Sequence, residues 1–125
     1  MQNNVRNDQD FTLLTDFLFS FSFPNKEQIK EYMRTASMQK EQSEYHIVFH
    51  FEATKDCISL PDACNGMPVF IQVKNSDSLT CCELFVSKNH LKEYRVYNID
   101  NSKLNIGMIH SGKAILEIRQ QNNDY

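Results

Sequence analysis

Glycine is scarce in this chain. Of 125 residues only Gly66, Gly107 and Gly112 are glycine. A loop that cradles phosphate needs closely spaced glycines to bring backbone N–H groups against the ligand, so nucleotide-binding fingerprints are excluded. The G-x-S-x-G elbow and the H-E-x-x-H zinc motif are also missing. Positive charge is not in excess: net charge is −3, and bulk electrostatics lends a nucleic-acid partner no support. The one apolar stretch near the N-terminus, residues 11–23, is too short and too polar for a membrane span. It carries Asp16, follows Asp8 and Asp10 rather than basic residues, and ends without a small-residue cleavage pattern, so it does not read as a signal peptide either. The chain has no internal repeat and no linker.

What is present reads as one domain over residues 1–125, long enough for one hydrophobic core. A content of 41% hydrophobic and 23% charged residues argues against disorder. Residues 1–7 and 120–125 are polar and aperiodic and are expected to fray. Phe11, Leu14, Phe17, Leu18 and Phe21 follow helical spacing, with Asp8 or Asp10 as the cap. Pro24 closes that segment. Asn25 opens a second helix, with Gln28 placed as in a capping box, and Ile29, Tyr32, Met33 and Ala36 form its apolar face.

Beyond the helices the period changes to two. The polar run 39–44 is a loop or an edge strand. Residues 45–53 are the clearest strand and should be central, burying Tyr45, Ile47, Phe49 and Phe51, with His46, Val48, His50 and Glu52 on a wet face. Residues 57–60 are a possible short strand, and 61–66 a turn. Strands follow at 67–74, 81–87, 91–98 and 113–119. The expected fold is α+β: two N-terminal helices packed on one face of a mostly antiparallel sheet of five or six strands.

No reaction centre emerges from the residue types. His46, His50 and Glu52 share a face, near Cys57 and Cys64 in sequence, and these are zinc ligand types. Residues four apart on a strand, however, lie about 13 Å apart. Neither metal nor cofactor is expected. Cys81 and Cys82 are adjacent and point to opposite faces of a strand, so they do not readily pair. Cys82 is in phase with a buried face, while Cys81 is placed where it is accessible. A nucleophilic cysteine needs a base, and His90 is near Cys81 only in sequence. Cys57 and Cys64 can approach each other, but with no visible export signal all four thiols are expected free and the chain cytoplasmic. Loop aspartates are explained by Asx-turns, so a paired-carboxylate mechanism gains nothing. The chain therefore reads as a binding protein rather than an enzyme. Phe70, Phe85, Tyr94 and Tyr97 are the aromatics whose phase leaves them open to a partner, or to the helices.

The segment Leu91-Lys92-Glu93-Tyr94-Arg95-Val96-Tyr97-Asn98-Ile99-Asp100-Asn101-Ser102 resembles a C-terminal pattern of small uncharacterised bacterial proteins, L-x-E-[LY]-E-[IV]-Y followed by an Asp-Gly-Ser turn. Phe23-Pro24 resembles their early Phe-Pro. Arg95 and Asn101 depart from the pattern, at an acid and a glycine. The resemblance implies an α+β fold and supplies no catalytic residue. In size, acidity and lack of motifs the chain also resembles immunity proteins of bacterial toxin systems of the contact-dependent growth inhibition type. That likeness implies a protein partner, a cognate toxin domain whose active site is masked, with neither nucleic acid nor membrane involved. The expected partner-binding residues are Asp56, Asp62, Asp77, Glu93 and Asp100, with Tyr94 or Tyr97 as aromatic anchor. The alternatives are a small-ligand pocket between helices and sheet, or a small enzyme using the histidine-bearing face.

Overall fold

The computed structural model describes residues 8–75, 78–100 and 102–118. Helix α1 spans Gln9–Phe19 and α2 spans Lys26–Thr35. Asp8 caps α1: its Oδ1 accepts from the Phe11 N–H at 3.1 Å. The helical spacing puts Leu14, Phe17 and Leu18 on the buried side. Asn25 precedes α2 as expected but in a left-handed conformation, φ 62°, and makes no side-chain cap. The expected capping box does not form: a capping side chain reaches the first turn from extended backbone, which Asn25 does not adopt. Ile29, Tyr32 and Met33 are buried.

Six strands form one antiparallel sheet: β1 Ser37–Gln42, β2 His46–Glu52, β3 Val69–Lys74, β4 Leu79–Ser87, β5 His90–Asn98 and β6 Lys113–Ile118. Their order is β1-β2-β5-β4-β3-β6. The α+β architecture is as expected, with both helices N-terminal to the sheet. The polar run is an edge strand. Its Lys40 points inward and binds Asp8 and Asp10 at the start of α1, each at 2.9 Å. An inward charge on an edge strand also discourages pairing with another chain.

Strand β2 lies inside the sheet, one place from the edge; β5 and β4 hold the middle. It buries Ile47, Phe49 and Phe51, but Tyr45 is 44% exposed. The turn that closes with Ser43 N–H donating to the His46 carbonyl, at 2.9 Å, ends at Tyr45, so the strand's alternation begins only after it. Residues 57–60 form no strand: Leu60 N–H donates to the Asn89 carbonyl at 2.7 Å and its side chain enters the core. Before β3, Gly66 exchanges two 2.8 Å backbone bonds with Val86 at φ 100°, a conformation only glycine adopts without strain. Met67 therefore stays outside the strand.

The helices and the inward side chains of the sheet form one core, from Leu14, Leu18, Ile29 and Tyr32 to Phe49, Ile71, Leu84 and Val96. Tyr94 ties the two layers together. It is fully buried, and its hydroxyl donates to the Leu14 carbonyl of α1 at 2.7 Å. It is thus no partner anchor. The connection from β5 to β6 passes two strands and closes one end of the core. Ile109 is buried there, and the His110 ring meets Phe17 edge-on at 5.3 Å. Among the described residues no helix is long and apolar enough to cross a membrane.

Candidate functional site on the open face of the sheet

Side chains alternate along each strand, so the face opposite the helices is built by the out-of-phase residues. Register places them in rows. His50 pairs with Glu93, Val48 with Arg95 and His46 with Tyr97 between β2 and β5. Phe85, Glu83 and Cys81 continue the same rows on β4. Among the described residues no helix lies over this face.

Its polar groups form a linked cluster. Glu41, from β1, bridges both histidines: its two carboxylate oxygens lie 3.0 Å from His46 Nε2 and 3.0 Å from His50 Nε2. The other His50 nitrogen lies 3.5 Å from Glu93, whose second oxygen accepts from Arg95 Nε at 2.6 Å. The Arg95 guanidinium lies over the Phe85 ring at 5.8 Å. Tyr97 donates to Glu83 at 3.2 Å. The His50 and His46 hydrogen bonds hold the Glu41 carboxyl below its ordinary pKa. Burial, then the Glu83 charge, push the Tyr97 hydroxyl far up, so it remains a donor throughout the ordinary pH range. A depression of about 450 Å³ opens over this cluster.

The chain matches none of the protein-family models, curated proteins or solved structures with which it was compared.

Two features of this face run against the alternation as first read. Cys81, placed where a solvent-facing thiol was expected, is fully buried, and burial pushes its pKa up. Tyr97 and Gln72 flank it in register and cover it. Glu83 is only 5% exposed and Val48 only 7%, on a face expected to be wet. Large neighbours account for this: Arg95 sits beside both in register, and Phe70 flanks Glu83.

The expected partner residues do not form one patch. Glu93 and Tyr97 share the open face, two rows apart on β5. Asp56 and Asp62 lie at the sheet end where β2 finishes and β5 begins. There Asp62 accepts from Asn89 Nδ2 at 2.7 Å. Asp100 is at the opposite end in an Asx-turn, accepting from the Ser102 N–H at 3.1 Å and its hydroxyl at 2.7 Å, bonds that lower its pKa. Asp77 lies outside the described residues. Glu41, Glu83 and Arg95 were not singled out from sequence. The only signal for Glu83 was its phase, opposite to Cys82, Leu84 and Val86.

Among the described residues no three His, Cys, Asp or Glu side chains are placed to hold a metal ion, and all four cysteines are free thiols. A groove of about 740 Å³ also exists, but α1, α2 and Ser20 line it, away from the sheet. Its charges are mixed, and Glu31 and Arg34 neutralise each other. It is not the pocket between helices and sheet named as an alternative, since no strand residue lines it.

Proposed function

We propose that this protein is a cytoplasmic binding protein of the immunity class, which neutralises a cognate bacterial toxin by covering its active site with the open face of the sheet. The observation that carries this reading is Glu83. It is a carboxylate 5% exposed on a face that, among the described residues, no helix covers, and among those residues its hydrogen bond comes from Tyr97 and not from a cation. Arg95, its neighbour in register, gives its Nε to Glu93. Burying a carboxylate without a cation is costly, and a partner's arginine or lysine reaching the row would offset that cost. Glu41 and Glu93 add negative charge around it, and Phe85 and Tyr97 add aromatic surface of the kind that anchors interfaces. A basic toxin surface would be steered to such a face by charge, with an association rate that falls as salt rises.

The partner role needs no catalysis by this chain. Asp56 and Asp62 sit at the opposite end of the sheet from Asp100, so these three do not serve as a single contact surface; Glu93 and Tyr97 share the open face. The test is capture of the partner from the source cells, followed by titration of the purified pair. Glu93→Lys and Tyr97→Ala should each weaken binding at least about tenfold, the scale of an interface hot spot. A partner that binds both variants as tightly as the wild type sinks this reading, and so does an upstream neighbour gene that encodes no toxin together with failure to retain any protein.

A further inference from the structure

The two edges of the sheet are built differently. Strand β1, at one edge, turns Lys40 inward to Asp8 and Asp10, which discourages a further strand from adding there. Strand β6, at the other edge, has no such guard. Its residues Lys113-Ala114-Ile115-Leu116-Glu117-Ile118 contain no proline and no inward charge. Its register with β3 runs unbroken from Lys74–Lys113 to Val69–Ile118, so no bulge twists the edge away. Among the described residues no strand pairs with its outer side. Alternate residues of β6 therefore point their N–H and C=O groups outward. Ile115 and Ile118 on the same strand are 56% and 42% exposed.

Register also fixes which side chains share a face. Lys113, Ile115 and Glu117 stand beside Lys74, Gln72 and Phe70 on the open face. Ala114 and Leu116 stand beside Val73 and Ile71 on the core side and pack against the core. A second β6 laid antiparallel on the first, with the two Ile115 residues opposite each other, is complementary from residue 113 to residue 117. Each Lys113 then faces Glu117 of the other copy, twice by symmetry, and each Ala114 faces Leu116 of the other copy. A shift by two residues in either direction sets Ile115 against Lys113 or against Glu117 and loses both charge pairs. A shift by one sets core-side residues against open-face residues.

We propose that β6 is an interaction edge whose partner is a second copy of this chain. Two molecules pair antiparallel through residues 113–117 about a two-fold axis at Ile115, and one sheet runs through both. Facing residues share a side, so the axis is normal to the sheet and the two open faces point the same way. Glu41, His46, His50 and Glu93 lie on β1, β2 and β5, the three strands farthest from β6, so the pairing leaves their cluster uncovered. The dimer presents two such faces side by side. The paired edge is short and its contact area small, so association is weak and depends on concentration.

Sedimentation velocity of the full chain, from micromolar to millimolar concentration, reads the association, and amide hydrogen exchange over the same range locates it. The wild type should pass from monomer to dimer, with exchange slowing in residues 113–118 and unchanged in β1. Glu117→Lys sets lysine against lysine twice and should weaken association at least about tenfold, because facing opposite charges stabilise a strand pair and like charges destabilise it. Adding Lys113→Glu exchanges the signs and restores both pairs, so the double variant should dimerise as the wild type does. Lys113 and Glu117 are exposed, and circular dichroism checks that both variants fold. Should either fail to fold, the wild-type exchange pattern decides. A chain that is monomeric throughout the range overturns the proposal. So does a dimer that ignores Glu117→Lys, or one that the folded double variant does not restore. Slowed exchange confined to β1 or the helices would place the second copy elsewhere and overturn it as well. A captured partner that protects residues 113–118 of a chain monomeric on its own would assign this edge to the partner and equally overturn the pairing.

Discussion

Replacing Lys40 by methionine tests how the sheet edge holds the first helix. Lys40 is 17% exposed and binds Asp8 and Asp10, themselves 28% and 31% exposed, at 2.9 Å each. A fully exposed ion pair contributes about 0.2–1 kcal/mol, whereas a hydrogen bond to a charged group contributes about 1.5–3 kcal/mol. This site lies between those cases. Methionine keeps the apolar stem, and Asp8 keeps its cap on Phe11. The expected loss at pH 7 is about 1–2 kcal/mol, or about 4–8 °C in Tm for a domain of this size. The pH dependence follows from Asp8. Burial pushes its carboxyl pKa up, but the bonds from Lys40 and Phe11 and the Lys40 charge bring it below its ordinary value. A carboxyl whose folded pKa is lowered stabilises the fold above its unfolded pKa, and that stability is lost as pH falls through the folded value. Lys40 is raised: burial opposes the charge, but both aspartates outweigh it, so its contribution persists through neutral pH. The gap between wild type and Lys40→Met, measured from urea midpoints, should be full near pH 7 and shrink below about pH 4. An equal gap at pH 7 and pH 3 would assign the effect to packing of the stem, and no gap at pH 7 would refute the tie altogether.

Gly112→Ala should destabilise by about 1–3 kcal/mol through overpacking. Its Cβ would fall 2.5 Å from Val73 Cγ1 and from Asn75 Oδ1, and 2.9 Å from the Lys74 carbonyl oxygen. A thermal melt unchanged from wild type would show that the close approach of this loop to β3 is wrong. Tyr94→Phe removes only the hydroxyl that reaches the Leu14 carbonyl and should cost about 1 kcal/mol in urea unfolding. Because the Tyr94 side chain is fully buried, the variant should leave partner binding unchanged; weaker binding would reinstate Tyr94 as a contact.

The helices and the two-residue period were readable from sequence because each depends on local spacing. Leu14 with Leu18, and Ile47 with Phe49, declare a face without reference to anything distant. Which face another layer covers is not local. Tyr94 and Tyr97 alternate correctly, yet only the packing of α1 on β5 decides that Tyr94 is the inner one. Tyr45 was misassigned because alternation continues past the residue where a turn ends the ladder. The open-face cluster depends on pairing: Glu41 reaches His46 and His50 only because β1 folds back on β2. Tyr32 and His90 come from a helix and a strand, and no spacing in the chain joins them. His90 was considered as a base for Cys81, its neighbour in sequence, but the fold gives it to Tyr32.

The most direct measurement of the central claim is carboxylate footprinting of the protein with and without the partner captured from its source cells. Carbodiimide-driven amine labelling reports each glutamate and aspartate separately. If the open face is the interface, Glu41 and Glu93 lose labelling in the complex, while Glu27 and Glu31 on α2 and Asp100 at the sheet end label as in the free protein. Protection of Glu27 and Glu31 with unchanged labelling at Glu41 and Glu93 would place the partner on the helices and contradict the claim.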